Sequence, residues 1–166
     1  MFSDVITSDN KPYGLHRARD EKFFVGEKIV VARKCIEPVF SYSDFDCYVS
    51  ATFYVIKTDR VDTKYLLALF NSKVVKFWLK HKGKMQGNNY QIDKEPLLNI
   101  PIKIISFEKQ KIFVGIIDKI LDITSTQDYN PKNPPVEQKE LEKQIDELVM
   151  DLYELTNEEK EIVRNS

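Results

Sequence analysis

The chain has 166 residues, with 25 Lys and Arg against 26 Asp and Glu for a net charge of −1. At 42% hydrophobic and 11% aromatic it can bury a core, which excludes wholesale disorder, and its length suits one domain or a domain with an appendage. Its longest apolar runs, such as Tyr65 to Phe70, are far too short to span a bilayer, and no basic segment followed by an apolar one opens the chain. No membrane partner and no signal peptide are therefore expected, and the expected location is cytoplasmic.

Residues 1–60 read as strands and turns. Ile29-Val30-Val31-Ala32 is a short β-branched run after Gly26-Glu27-Lys28, and Pro38 ends the segment. The stretch 41–46, rich in Ser and Asp, predicts a turn. Tyr48 to Ile56 is the clearest strand, with Tyr48, Ser50, Thr52, Tyr54 and Ile56 alternating against Val49, Ala51, Phe53 and Val55. The spacing of Leu66, Leu67, Phe70, Val74, Phe77 and Trp78 predicts one helix over 62–81, capped by Asp62 or Thr63. A loop is expected from Lys82 to Glu95, broken by Gly83 and Gly87, and then an extended segment from Leu97 to Ile105, split by Pro101. Ser106 can cap a helix running through Thr124, and the Pro-containing 125–136 reads as a linker. Leu141, Ile145, Leu148, Leu152 and Leu155 form a heptad-like seam too short for a long coiled coil, so an antiparallel helix pair is expected. Thr156 with Glu159 makes a capping box for a short final helix.

The near-zero net charge conceals a segregation. Residues 136–166 hold ten acids and four bases, a net of −6, which leaves 21 bases against 16 acids and +5 upstream. No acid lies between Asp62 and Asp93, where Lys64, Lys73, Lys76, Lys80, Lys82 and Lys84 are found. Such a stretch is either a solvated face or the footprint of a polyanion.

Motifs that could carry catalysis are weak. Asn133-Pro134-Pro135-Val136 resembles the Asn-Pro-Pro-aromatic motif of amino-methyltransferases, but Val136 stands where the aromatic would stack on a flipped base. The motif also lies in a polar linker, and no Gly-rich loop follows an early strand. Glu137-Gln138-Lys139 and Glu158-Glu159-Lys160 match half of a metal-dependent nuclease site, without the preceding Pro-Asp. His16 and His81 are the only histidines, and Cys35 and Cys47 have no metal-ligand spacing. No catalytic residue and no metal site are expected, and the cysteines read as free thiols in a reducing compartment.

The run Tyr65-Leu66-Leu67-Ala68-Leu69-Phe70-Asn71-Ser72-Lys73 resembles the LLALLNSK signature of target recognition domains. These occur in DNA methyltransferases of restriction–modification systems as the TaqI-like C-terminal specificity domain, and more distantly in type I specificity subunits. Gly26 to Val30 and Tyr48 to Ile56 look like the family's entry and central strands. Phe77 to Lys84, with Gln91 to Leu97 and Ile100 to Ile102, looks like a segment of fused restriction–methylation members (type IIG). The helical tail through Leu155-Thr156 is similar to theirs. The resemblance implies a non-catalytic recognition module for double-stranded DNA. A methyltransferase catalytic domain, in cis or in trans, would supply S-adenosylmethionine, and this chain would hold no cofactor.

The expected fold is α+β: a small twisted β-rich target recognition core, from residues 12–60 and 97–105, packed on the 62–81 helix and followed by a C-terminal antiparallel helical pair. The domain division is 1–105 for recognition and 106–166 for a helical stem or spacer. Residue type and loop position nominate Lys73, Lys76, Lys80, Lys82 and Lys84 for phosphate contacts. They nominate His16, Arg17, Arg19, Gln86, Asn88, Asn89 and Tyr90 for reading bases. The rival reading is a protein-interaction or spacer module that docks a catalytic subunit without touching DNA.

Overall fold

The computed structural model describes residues 20–86 and 89–166, with the backbone alone at 84–86 and at 89. It is α+β, as the sequence predicts. Among the described residues, two small antiparallel sheets share one continuous stretch of chain. The first has the order β3-β1-β4, with β1 (Lys28–Ala32) between β3 (Phe40–Ser43) and β4 (Phe53–Ile56). The second has the order β2-β6-β5, built from β2 (Lys34–Cys35), β5 (Lys84–Gln86) and β6 (Asn89–Gln91). Arg33 is the joint between them. Its N–H donates to the Thr52 carbonyl at 2.8 Å, and its carbonyl accepts from Ile92 N–H at 2.9 Å.

Polar bonds tie the entry into β1 to residues 45 and 46. Gly26 turns at φ 62°, a conformation glycine adopts without a steric penalty, and its N–H donates to Asp46 Oδ1 at 2.7 Å. The ammonium of Lys28 is wholly buried, yet it donates to the carbonyls of Gly26 and Phe45, so the burial is compensated.

Six helices follow: α1 (Thr63–Asn71), α2 (Lys73–Lys82), α3 (Lys94–Leu98), α4 (Phe107–Thr124), α5 (Val136–Leu152) and α6 (Asn157–Arg164). α1 is the hub. Tyr65, Leu66, Leu67, Ala68, Leu69 and Phe70 are all buried, because this run is apolar on every side and elements cover every side. Phe70 stacks on Phe40 of β3 with ring centroids 4.7 Å apart, and Tyr65 meets Phe113 of α4 edge-on at 5.2 Å. The Tyr65 hydroxyl donates to the Lys103 carbonyl at 2.6 Å, and burial pushes its phenol up to about 12. α4 packs on α1, α5 on α4 and α2, and α6 on α2. One apolar core thus runs from Ile29 through Leu69 and Phe113 to Val149. The stem proposed for residues 106–166 shares that core, so the division at residue 105 remains a proposal about function, not about packing.

Several predicted elements differ in the structure. The helix expected over 62–81 is two helices that break at Ser72. The first half of the turn expected at 41–46 is strand β3, whose Phe40 is buried against α1 while Ser43 hydrogen-bonds locally; residues 44–46 are not strand. The long strand at 48–56 shrinks to β4: Phe53 N–H turns back to the Ser50 carbonyl at 3.1 Å, which ends pairing before it. The loop expected over 82–95 holds the paired strands β5 and β6 and the start of α3. That helix also replaces the beginning of the extended segment expected at 97–105. The capping box of Thr156 with Glu159 is as predicted, and so is the helix through Thr124, although Ser106 occupies its N-cap without a side-chain capping bond.

Candidate nucleic-acid interface

The break between α1 and α2 is made by three consecutive residues. Asn71 turns its amide onto the outer edge of β3, accepting from Phe40 N–H at 3.0 Å and donating to the Phe40 carbonyl at 2.9 Å. It thereby pairs like one more strand residue on an edge that would otherwise be open. Ser72 is buried and non-helical, with ψ 153°. Its hydroxyl donates to the Leu69 carbonyl at 2.6 Å, closing α1, and accepts from Val75 N–H at 3.4 Å, capping α2. Lys73 N–H then donates to Asp146 Oδ1 of α5 at 2.8 Å, and the Lys73 ammonium donates to the Arg164 carbonyl at 3.0 Å. Arg164 is itself clamped by the Glu147 carboxylate at 2.9 and 2.7 Å. Burial pushes the Asp146 carboxyl above its ordinary value, against the downward pull of the Lys73 N–H and the nearby lysines.

This joint redistributes the lysines of the acid-free stretch. Lys64 pairs with Asp118 of α4 and lies over the Tyr42 ring. Lys73 is tied to the C-terminal helices, and Lys76 pairs with Glu37 at 2.7 Å. The Lys76 pair is exposed, hence worth at most about 1 kcal/mol and readily exchanged for a phosphate. Lys80 and Lys82 are exposed in the last turn of α2, with the Lys82 ammonium 5.6 Å from the centre of the Trp78 ring. A cleft of about 400 Å³ opens beside them, lined by Trp78, Lys82, Asp93, Glu95, Pro96 and Asn99. Its two carboxylates would repel phosphate and so mark one border of any basic footprint.

β5 continues directly from this basic end of α2 through Gly83. Its register with β6 sets Lys84 opposite Gln91, Met85 opposite Tyr90 and Gln86 opposite Asn89. β2 adds Lys34 opposite Gln91 and Cys35 opposite Tyr90. Strand alternation therefore assigns Lys34 and Gln91 to one face, and Cys35 and Tyr90 to the other. Cys35 packs against the core, and burial raises its thiol pKa. Tyr90, nominated as a base reader, is the register partner of Cys35. Gln86 and Asn89 are register partners in the β5–β6 pairing.

His16, Arg17, Arg19 and Asn88 lie outside the described residues. Sequence reading missed Lys34, which only the β2–β6 pairing brings beside the hairpin. It passed over Asn71 and Asp146, whose partners lie 31 and 73 residues away. Asn133-Pro134-Pro135-Val136 leads into α5, with Pro135 at its N-cap and the Val136 side chain exposed. In the second Glu-x-Lys triplet Lys160 pairs with Asp151, and the middle residue, Glu159, serves the α6 capping box. Among the described residues, no group of three His, Cys, Asp or Glu side chains could hold a metal ion, and no helix is long and apolar enough to cross a membrane.

The two-sheet α+β core thus carries a basic helix end beside a polar ribbon. The solved structure of the type IIL restriction–modification enzyme MmeI in complex with DNA contains this fold, with a TM-score of 0.66 and 15% identity over 85% of this chain and 22% of that one. Residues 7–102 match the TaqI-like C-terminal specificity domain, and the chain belongs to that family. Two curated relatives are the type II methyltransferases M.HincII of Haemophilus influenzae and M.HindII of a named strain of that species. Each is 26% identical over 126 residues, which is 71% of this chain and 24% of the relative. The chain thus spans about a quarter of the length of these relatives.

Proposed function

We propose that this chain is the sequence-recognition module of a restriction–modification DNA methyltransferase, binding duplex DNA and performing no catalysis itself. Methyl transfer, with its S-adenosylmethionine, belongs on this reading to a catalytic part joined in cis or in trans, in the cytoplasm. The observation that carries the proposal is the family match, which encloses both sheets, α1 and α2. The exposed lysines at the end of α2, beside an amide-bearing ribbon, support it. Lysines there would neutralise phosphates and fix register, while ribbon residues reach base edges.

The test is titration of labelled duplex at several salt concentrations. Replacing Lys80, Lys82 and Lys84 together with Ala should weaken binding to every duplex alike. It should flatten the slope of log K against log salt by about 0.9 per lost phosphate contact. The urea midpoint of the Lys80 and Lys82 double variant should not move, since neither side chain is buried. An unchanged affinity and slope would remove the lysines from the interface. Failure of the unaltered chain to bind any duplex, together with retention by a methyltransferase catalytic part, would favour the docking-module reading.

A further inference from the structure

We propose that the outer edge of β3 docks an extended peptide segment of a partner protein. The segment pairs with Tyr42 as a further strand and seats a large apolar side chain in the cleft alongside. Neither the β5–β6 ribbon nor the exposed end of α2 takes part, so this site is separate from the DNA-recognition reading above.

β3 is the marginal strand of its sheet, with β1 on its inner side. Asn71 pairs with the N–H and the carbonyl of Phe40, so those two groups point away from β1. Inward and outward pairs alternate along an antiparallel strand, which makes the N–H and carbonyl of Tyr42 the next outward pair. Neither has a hydrogen-bond partner among the described residues. The Asn71 amide already stands in for a strand residue two positions back, so this edge takes strand-like pairing, and the amide sets where an added strand must stop.

A cleft of about 600 Å³ opens along the same edge, with Tyr42 and Asn71 in its wall. Its apolar lining comes from Leu67 of α1 and from Ile117, Ile120 and Leu121 of α4. Directly opposed residues of an antiparallel pair share one face of the sheet. Here that face is the one packed on the helices: Phe40 stacks on Phe70, and Lys64 lies over the Tyr42 ring. The residue opposite Tyr42 therefore makes both backbone bonds and also turns its side chain toward the helices, which calls for Leu, Ile, Met or Phe. The α5 wall adds a polar demand. Gln138 is buried, and its Nε2 donates to Glu142 Oε1 at 2.8 Å, while its own Oε1 is buried with no partner. Both side chains line the cleft. A Lys, Arg or amide donor in the occupant complements this acceptor-rich wall. An extended backbone supplies the carbonyl and N–H that Tyr42 lacks, whereas a helix spends its own internally. The curated relatives carry about three quarters of their length outside the stretch shared with this chain, so related domains do work beside further polypeptide.

The experiment selects short peptides from a randomised display library with the full 166-residue chain. The enriched pattern should hold a large apolar residue with a Lys, Arg, Asn or Gln nearby. A synthetic peptide of that pattern should slow hydrogen exchange at the Tyr42 amide of the unaltered chain. Two variants then isolate the backbone donor. Tyr42→Ala and Tyr42→Pro lose the same side chain, but only proline lacks the N–H, and proline is tolerated on an edge strand whose N–H faces outward. Affinity for the peptide should be about 5- to 150-fold lower for Tyr42→Pro than for Tyr42→Ala. Leu121→Lys puts a charge in the apolar lining of the cleft and should abolish binding. Circular dichroism of each variant checks its fold, and the exchange measurement needs no variant at all. If no peptide is enriched, or if the enriched peptide leaves exchange at Tyr42 unchanged, the site is not a strand dock. A dimer of the unaltered chain that Tyr42→Pro dissociates would equally overturn it, by giving the edge to a second copy. Duplex titration of the same variants keeps the two readings apart, since loss of peptide binding with DNA binding intact touches this site alone.

Discussion

The two ends of α2 carry the same residue type in opposite circumstances. At the N-terminal end, Lys73 is bonded through its backbone to α5 and through its ammonium to α6, and Lys76 has an acid partner from the β2–β3 connection. At the C-terminal end, Lys80 and Lys82 are exposed, and the ribbon beside them presents Lys34. In sequence these lysines form one uniform basic run. In space the run is half structural and half available, because acids more than 30 residues away fold back onto its first half. Net charge in a window of sequence therefore overstates the charge a ligand would meet.

The contrast makes opposite demands on mutation: the joint should lose stability, the ribbon end should lose binding. Asn71→Ala should show the largest effect. It removes a donor and an acceptor together and leaves the Phe40 N–H and carbonyl unpaired on a buried strand residue. At about 1–3 kcal/mol for each orphaned group, partly recovered by water at the sheet edge, the expected loss is about 3 kcal/mol. It is read from the urea midpoint with the slope unchanged. A loss below about 0.5 kcal/mol, the range of an ordinary surface substitution, would show that the edge of β3 does not need the amide.

Ser72→Ala should follow, at about 1 kcal/mol, the usual cost of deleting a helix N-cap hydroxyl. The same hydroxyl donates to the Leu69 carbonyl, so the variant also opens the end of α1. If α1 and α2 were instead able to run on as one helix, Ala, the better helix former, would leave stability equal or higher. The sign of the change thus decides whether the break is imposed by Ser72 or by the packing around it.

The parts of this fold legible in sequence were those set by local chemistry: the α+β class, the apolar run of α1, the capping box at Thr156 and the helix from Ser106. The Ser72 break was not legible, because an amphipathic period continues across it and only the third dimension shows that Asn71 faces a strand edge. The hairpin was hidden for a related reason. Lys84 to Gln91 is polar on most positions and too short to show alternation, and its second strand, β6, finds a further partner in β2, more than 50 residues upstream. The candidate site divides the same way. Lysine content was visible, but which lysines are committed elsewhere, and the entry of Lys34 and Gln91 into one row, depend on pairing that no local pattern encodes.

The smallest effect expected at the joint is also its most specific signature. Asp146 caps α2 through Lys73 N–H, yet burial raises its pKa above the ordinary 3.8. A carboxyl whose pKa is higher in the folded chain than in the unfolded one binds a proton more readily when folded. Its stabilising contribution is then complete below 3.8 and is lost as pH rises through the folded value. Asn at this position keeps a capping acceptor and carries no charge to desolvate, so Asp146→Asn should change stability by less than about 1 kcal/mol at neutral pH. The informative quantity is the difference in Tm between variant and parent, followed from below 3.8 to neutrality. It should move in favour of Asn as pH rises across that window, because only the parent loses its contribution there. A difference that stays flat would mean that the Lys73 bond and the neighbouring lysines fully offset the burial. A difference that moves in favour of Asp would make the charge itself the useful cap, with the α2 N-terminus as its partner.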